Sequence, residues 1–372
     1  MTTSPDRDYS DLQSPTDYVA QAPVNISSIF INEVTDLLRS NPRTEPANRQ
    51  DLRETDQLAF AGGLTAGTGI WGAADQIRRA QDPATIANNI RRLDSNSLSD
   101  REAASRQLAL AGVEALPQLM QTRDDPNSSA EARERSGRVI DQLRSGNFGS
   151  IVDSLSRADA VGHAARNLVQ RMELPDVLQA VGRMPLEMSQ QRRDNLNSIM
   201  ALDDKFSQQG VQEFRADPFG GQEGDYRAAL GRSMLLNRQA DIGKVAGCLG
   251  QFLHRLGPHH DAEARQLLER GLQTFPGATD MLATLASVHH RSEDSQAWLQ
   301  TTSQYLDRLQ QRSFSQDDLV NGFNLNAQAN DLLRNSNLSP QQREQLQSTL
   351  QRNNQMILNR IFSPPEEERS RK

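Results

Sequence analysis

Apolar positions along this chain recur at three- and four-residue spacing and almost nowhere alternate, which is the period of amphipathic helices and not of strands. The clearest run is Ser99 to Leu143. Ala104, Leu108 and Ala111 share one helical face, and Gly112 stands where that helix must stop. A second helix follows, with Leu116, Leu119 and Met120 apolar and Pro117 in its first turn, where no backbone donor is needed. After the polar turn D-D-P-N-S-S a third helix begins. Ser99 with Glu102, and Ser128 with Glu131, read as capping boxes at the starts of the first and third helices. Shifted by 32 residues, Arg101-Glu102 falls on Arg133-Glu134, Ala104 on Ser136, Leu108 on Ile140 and Ala111 on Leu143. Self-similarity at a period in the thirties is the signature of stacked helical repeats.

Asp100, Ala103, Ala104, Leu108, Gly112, Ala115, Pro117 and Leu119 together resemble a HEAT repeat of the bacterial type. Arg101 directly after Asp100, and Ala111 in place of the usual Leu, depart from that pattern. A second stretch, residues 243–290, resembles a tetratricopeptide repeat. Leu249, Gly250, Leu253 and Gly257 fit its first helix; Ala264, Leu268, Gly271 and Pro276 fit its second, once two extra residues are allowed between them. Leu282, Leu285 and Ala286 open a further copy. Both resemblances imply stacked helix pairs and binding of proteins or peptides, with no universal catalytic residues.

The remaining pattern divides the chain. Residues 1–50 are polar and proline-punctuated, and read as a tail that is mostly disordered, interrupted by one amphipathic island, Ile26 to Leu38. Residues 51–82 form a glycine-containing helical segment, 83–146 the HEAT-like section, 147–237 an irregular helical region and 238–362 the tetratricopeptide-like region; 363–372 is a charged tail. In the irregular region helices are expected at Phe148–Leu155, Ala158–Met172, Leu174–Val181 and Arg192–Gln208, and a loop at Asp217–Asp225. Towards the C-terminus they are expected at Asp294–Arg312, Ser315–Asn335 and Ser339–Phe362. The last has Ser339 as cap, Pro340 at its first position and Gln342 completing a capping box. Its stripe Leu346, Leu350, Ile357 and Ile361 suits packing on the end of the array, or a seam between chains. The fold class is therefore all-α, a right-handed α-solenoid-like stack of HEAT-like and tetratricopeptide-like hairpins.

Composition narrows function more by exclusion than by motif. Only 36% of residues are hydrophobic and 5% aromatic, so cores must be thin. A net charge of −7 and dispersed aromatics argue against a nucleic-acid partner. Basic residues are nearly all Arg, with Lys only at 205, 244 and 372. The lone cysteine, Cys248, excludes an internal disulfide and reads as a buried thiol. The start M-T-T-S-P-D-R-D-Y carries no signal-peptide pattern, and a cytoplasmic location is the expectation.

Candidate chemistry is sparse. Gly67, Gly69 and Gly72 make a G-x-G-x-x-G with Asp94 downstream, but no β-branched strand precedes them. Gly243-Lys244 lacks the rest of a phosphate-binding loop. Of the six histidines, His163 and His254 stand alone, while His259-His260 beside Asp261, and His289-His290 near Glu293, form the one metal-like constellation. No catalytic, cofactor or metal residue is assigned. The expected function is a non-enzymatic scaffold or adaptor for a protein or peptide partner. Two other readings stay open: a helical metal-binding protein or metalloenzyme built on those histidine clusters, and membrane association through the uncharged residues 58–74.

Overall fold

The computed structural model describes residues 69–215, 221–311, 315–334 and 338–362. The expected tail 1–50, the island Ile26–Leu38, most of 58–74 with Gly67, and the charged tail 363–372 lie outside them. Among the described residues every regular element is helical and there is no strand. The α-helices are α1 (Gly69–Ala80), α2 (Pro83–Arg92), α3 (Leu98–Ala111), α4 (Leu116–Asp124), α5 (Ala130–Gly146), α6 (Phe148–Ser154), α7 (Ala160–Arg171), α8 (Leu174–Val181) and α9 (Gln190–Ile199). They continue with α10 (Gln208–Glu213), α11 (Glu223–Leu235), α12 (Gln239–Leu256), α13 (Asp261–Thr274), α14 (Thr279–Arg291), α15 (Ser295–Leu309), α16 (Gln316–Arg334) and α17 (Pro340–Phe362). No described helix is long and apolar enough to cross a membrane.

Contacts divide the chain into two compact units. One contains α1 to α7 with α9; the other contains α8 with α10 to α17. In the first unit α1 packs on α2 and α3, α2 on α3 and α4, α3 on α5, α4 on α5 and α7, and α6 on α7 and α9. Ser97 and Ser129 cap α3 and α5, accepting the backbone N–H of Asp100 and of Ala132. Ala104 and Ser136, Leu108 and Ile140, and Ala111 and Leu143 are all buried.

The caps therefore sit two residues before Ser99 and one after Ser128. Ser99 lies inside α3, its hydroxyl 2.9 Å from that of Ser97. Ser128 is turned back onto Asp125, and Glu131 is occupied by Arg101 at 3.1 Å and by Arg135. Gly112 does terminate α3, with φ +66°, a conformation a side chain would strain. The helix expected over Arg192–Gln208 ends at Ile199, because a new helix starts at Ser207, whose hydroxyl accepts from Gly210 N–H. The loop expected to reach Asp225 ends sooner. Asp225 caps α11 by accepting the Gln222 N–H at 2.9 Å.

In the second unit α12 pairs with α13, α14 with α15, and α16 with α17, and the first helices of these pairs touch in sequence. Ser339 and Gln342 exchange hydrogen bonds at the start of α17, with Pro340 at its first position, as the pattern required. Leu249, Leu253, Ala264 and Leu268 are fully buried between α12 and α13. Against α8, α11 approaches so closely that a Cβ on Gly231 would stand 1.9 Å from the Leu178 carbonyl oxygen.

Replacing Gly231 by Ala is expected to cost at least ~2 kcal/mol, since backbone must move to admit the methyl. Gly137 is the contrast: it lies mid-helix with nothing within 4 Å of its absent Cβ. Gly137→Ala is expected to stabilise by about 0.5–1 kcal/mol. Urea denaturation of both variants tests the pair of signs.

Candidate binding cleft between α4 and α7

A recess lies between α4 and α7, an open cleft of ≈ 450 Å³. Its floor is apolar: Met120 and Ala164 are buried, and Pro117 and Ala160 flank them. Gln121 from α4, and His163 and Asn167 from α7, point polar groups into it. Among the described residues these three side chains make no hydrogen bond, so their donors and acceptors remain free for a ligand. An apolar recess with a few convergent polar groups is the usual form of a ligand-binding site.

Ion pairs hold both ends of the cleft. Glu114 stands in the 3-10 turn Gly112–Ala115 just before α4, and Asp159 is the N-cap of α7, accepting the Gly162 N–H at 3.0 Å. Arg157 bridges them, 2.5 Å from Glu114 and 2.6 Å from Asp159. The starts of the two helices are thus fixed to one guanidinium. At the far end Arg171 of α7 reaches Asp124 of α4 at 2.6 Å, and Arg123 holds the same carboxylate at 2.8 Å. Glu114 and Asp159 raise the Arg157 pKa above its ordinary value. In turn the Arg157 hydrogen bond, then the Gly162 N–H, hold Asp159 below the usual carboxylate range. Asp124 is lowered as well, first by Arg123 and then by Arg171.

The histidines picked out by sequence do not come together. His259 and His260 occupy a 3-10 turn before α13, with His259 exposed. His260 is the N-cap residue of α13 but gives it no side-chain bond. The carboxylate beside them, Asp261, faces His254 instead, at 3.2 Å, and Arg291 joins this pair 3.1 Å from Asp261 and 2.7 Å from the His254 carbonyl. His290 reaches Asp331 at 3.1 Å, while its neighbour His289 is buried with Nδ1 unpartnered. Adjacent helical residues point about 100° apart, so each pair splits between two environments. Among the described residues no group of three metal-ligating side chains converges.

Other singled-out residues have structural roles. Gly69 and Gly72 lie inside α1, and Asp94 accepts a hydrogen bond from the Ser129 cap at 2.5 Å. Gly243 and Lys244 lie within α12, where a Cβ on Gly243 would meet Thr274 at 2.2 Å. Cys248 is half-buried in the same helix, and burial, then Asp280, raises its pKa. A second, smaller recess of ≈ 80 Å³ lies where α12, α14 and α16 meet, lined by His254, Thr284, Ser287, Asn321 and Asn324. One of its walls is ordered by a chain of bonds from Trp298 through Gln328 to Ser287.

The cleft has no signature in the sequence: His163 is one histidine among six, and nothing in Glu114, Arg157 and Asp159 announces that one arginine spans two helix starts. No family model matches the chain, and no curated protein and no solved structure is similar to it.

Because their pKa values are depressed on folding, Asp124 and Asp159 add stability that is present above the ordinary carboxylate pKa and lost as pH falls through the lowered values. The urea midpoint is expected to drop between pH 6 and pH 3. Arg157→Met should flatten that drop, since it removes the main cause of the Asp159 shift. His289 gives a second window. Burial lowers its pKa, so its contribution is complete above the ordinary histidine value of 6.5 and is lost as pH falls through the lowered folded value. Comparing His289→Leu with the parent between pH 7.5 and pH 5 should show a smaller loss in the variant.

Proposed function

We propose that this chain is a non-enzymatic scaffold or adaptor, an α-solenoid-like array of HEAT-like and tetratricopeptide-like hairpins that grips a peptide segment of a protein partner. The observation that carries this reading is the α4–α7 cleft, with its apolar floor, its uncommitted Gln121, His163 and Asn167, and its ion-paired ends. An extended peptide has backbone N–H and C=O groups that need partners once water is displaced. Amide side chains supply both donor and acceptor, and imidazole supplies one of each. One apolar peptide side chain, seated over Met120 and Ala164, supplies the hydrophobic part of the affinity. The ties through Arg157 and Arg171 keep the two helices at a fixed separation, so little ordering is left to binding. The low aromatic content and acidic balance fit a peptide ligand better than a nucleic acid.

Selection of a displayed random peptide library against the full chain tests the proposal. Selected peptides are expected to share one apolar anchor and to lose at least ~10-fold in affinity on Ala160→Arg, which places a long side chain across the cleft mouth, with an unchanged melting temperature. Gln121→Ala with Asn167→Ala should weaken the same peptides. Absence of any enriched peptide, or equal binding by Ala160→Arg, overturns the reading.

A further inference from the structure

Large hydrophobic side chains that remain exposed are few, and they are not scattered. Of the eight in the described chain, five belong to the last hairpin: Val320 and Phe323 on α16, and Leu358, Ile361 and Phe362 on α17. The register of the two helices places them together. A Cβ on Gly322 would contact Ile357, the Asn353 amide donates to the Gly322 carbonyl at 2.7 Å, and Asn326 donates to Asn354 at 2.7 Å. Phe323 therefore lies beside Leu358, and Val320, one turn earlier, beside Ile361. Phe362, 78% exposed, closes that end of the patch.

This patch lies on the side of the hairpin opposite the one already buried. Towards α14 and α15, α16 presents Leu325, Gln328 and Leu332, with Gln328 bonded to Trp298 and Ser287, and α17 presents Arg352, bonded to Asp307. Each earlier hairpin of this unit buries such a second side against the next hairpin, α14–α15 against α16–α17. In a stack of this kind a terminal pair needs a polar outer face to stay in water, and here half of that face is apolar.

We propose that the face is the contact of a symmetric dimer, α16 and α17 of one copy laid against α16 and α17 of another. Two features select a second copy. Amide side chains, Asn326, Asn354 and Gln355, stand beside the patch, and the nearest exposed charges in sequence, Asp317 and Arg360, are of opposite sign. A two-fold contact sets each patch against itself, so a face of one charge sign would repel its copy, whereas a neutral one does not. The residues that follow in the sequence, S-P-P-E-E-E-R-S-R-K, carry six charges and no large apolar side chain, so they offer no matching surface. The seam suggested by Leu346, Leu350, Ile357 and Ile361 is a different one: Leu346 and Ile357 are buried within the hairpin itself.

Sedimentation equilibrium of the full chain, from about 1 to about 100 μM, tests this, because that range spans the dissociation constants of modest self-association. The parent is expected to be dimeric at the upper end. Phe323→Asp and Leu358→Asp, each at a position more than half exposed, are expected to raise the dissociation constant at least ~10-fold while far-UV melting is unchanged. Leu358→Ser is the milder substitution should either aspartate disturb folding. Phe275→Asp, which alters an exposed aromatic after α13, is expected to leave association as it is. A parent chain monomeric throughout the range overturns the proposal, as does a dimer indifferent to both patch variants or equally weakened by Phe275→Asp. A chain that stays monomeric while its patch is protected by its own residues 26–38 also overturns it.

Discussion

Where α12 crosses α13, a Cβ on Gly271 would sit 2.9 Å from the Cα of Gly247, and one on Gly250 would sit 2.9 Å from the Ala264 carbonyl oxygen. The same closeness recurs where Gly231 meets α8. Contacts made backbone to backbone follow from the composition. With few aromatics and a modest apolar share, the chain cannot fill wide gaps between helices with large side chains, so the helices must come near enough for small ones to exclude water. Leu249, Leu253 and Leu268 reach full burial only because the glycines beside them let the axes approach.

In the first unit, arginine ion pairs tie together segments around an apolar core. Arg157, Arg171 and Arg192 each join segments distant in sequence: Arg157 to Glu114, Arg171 to Asp124, and Arg192 to Asp153 at 2.6 Å. The planar fork of arginine suits these carboxylates, and a near absence of lysine means that almost every cation can make such a bond. A cleft bordered by fixed ion pairs and floored by Met120 and Ala164 is what this arrangement leaves over.

Local signals were the legible part. Gly112 as a stop, Pro117 in a first turn, and Ser339 with Pro340 and Gln342 as a start each act through the backbone within four residues, so the sequence shows them directly. Where several serines compete, that legibility fails. Ser95, Ser97 and Ser99 alternate around the start of α3, and the cap goes to the one whose hydroxyl reaches the Asp100 N–H, a choice settled by the entering chain. Side-chain convergence was beyond reach for a similar reason. Asp261 adjoins His259 and His260 in sequence but turns to His254 and Arg291, because α12 and α14 bring those to it.

Arg227 shows what such long-range bonds do to the way the molecule opens. It is 5% exposed on α11 and is held by Glu223 of its own helix and by Glu263 of α13. Burial works to lower its pKa, and the two carboxylates more than offset that. If α13 separated alone, the guanidinium would lose one of its two carboxylates. Fraying of α13 is therefore coupled to release of α11, and the glycine-packed α12 between them goes with both. These three helices are expected to open as one unit, their amides exchanging with solvent together and not helix by helix.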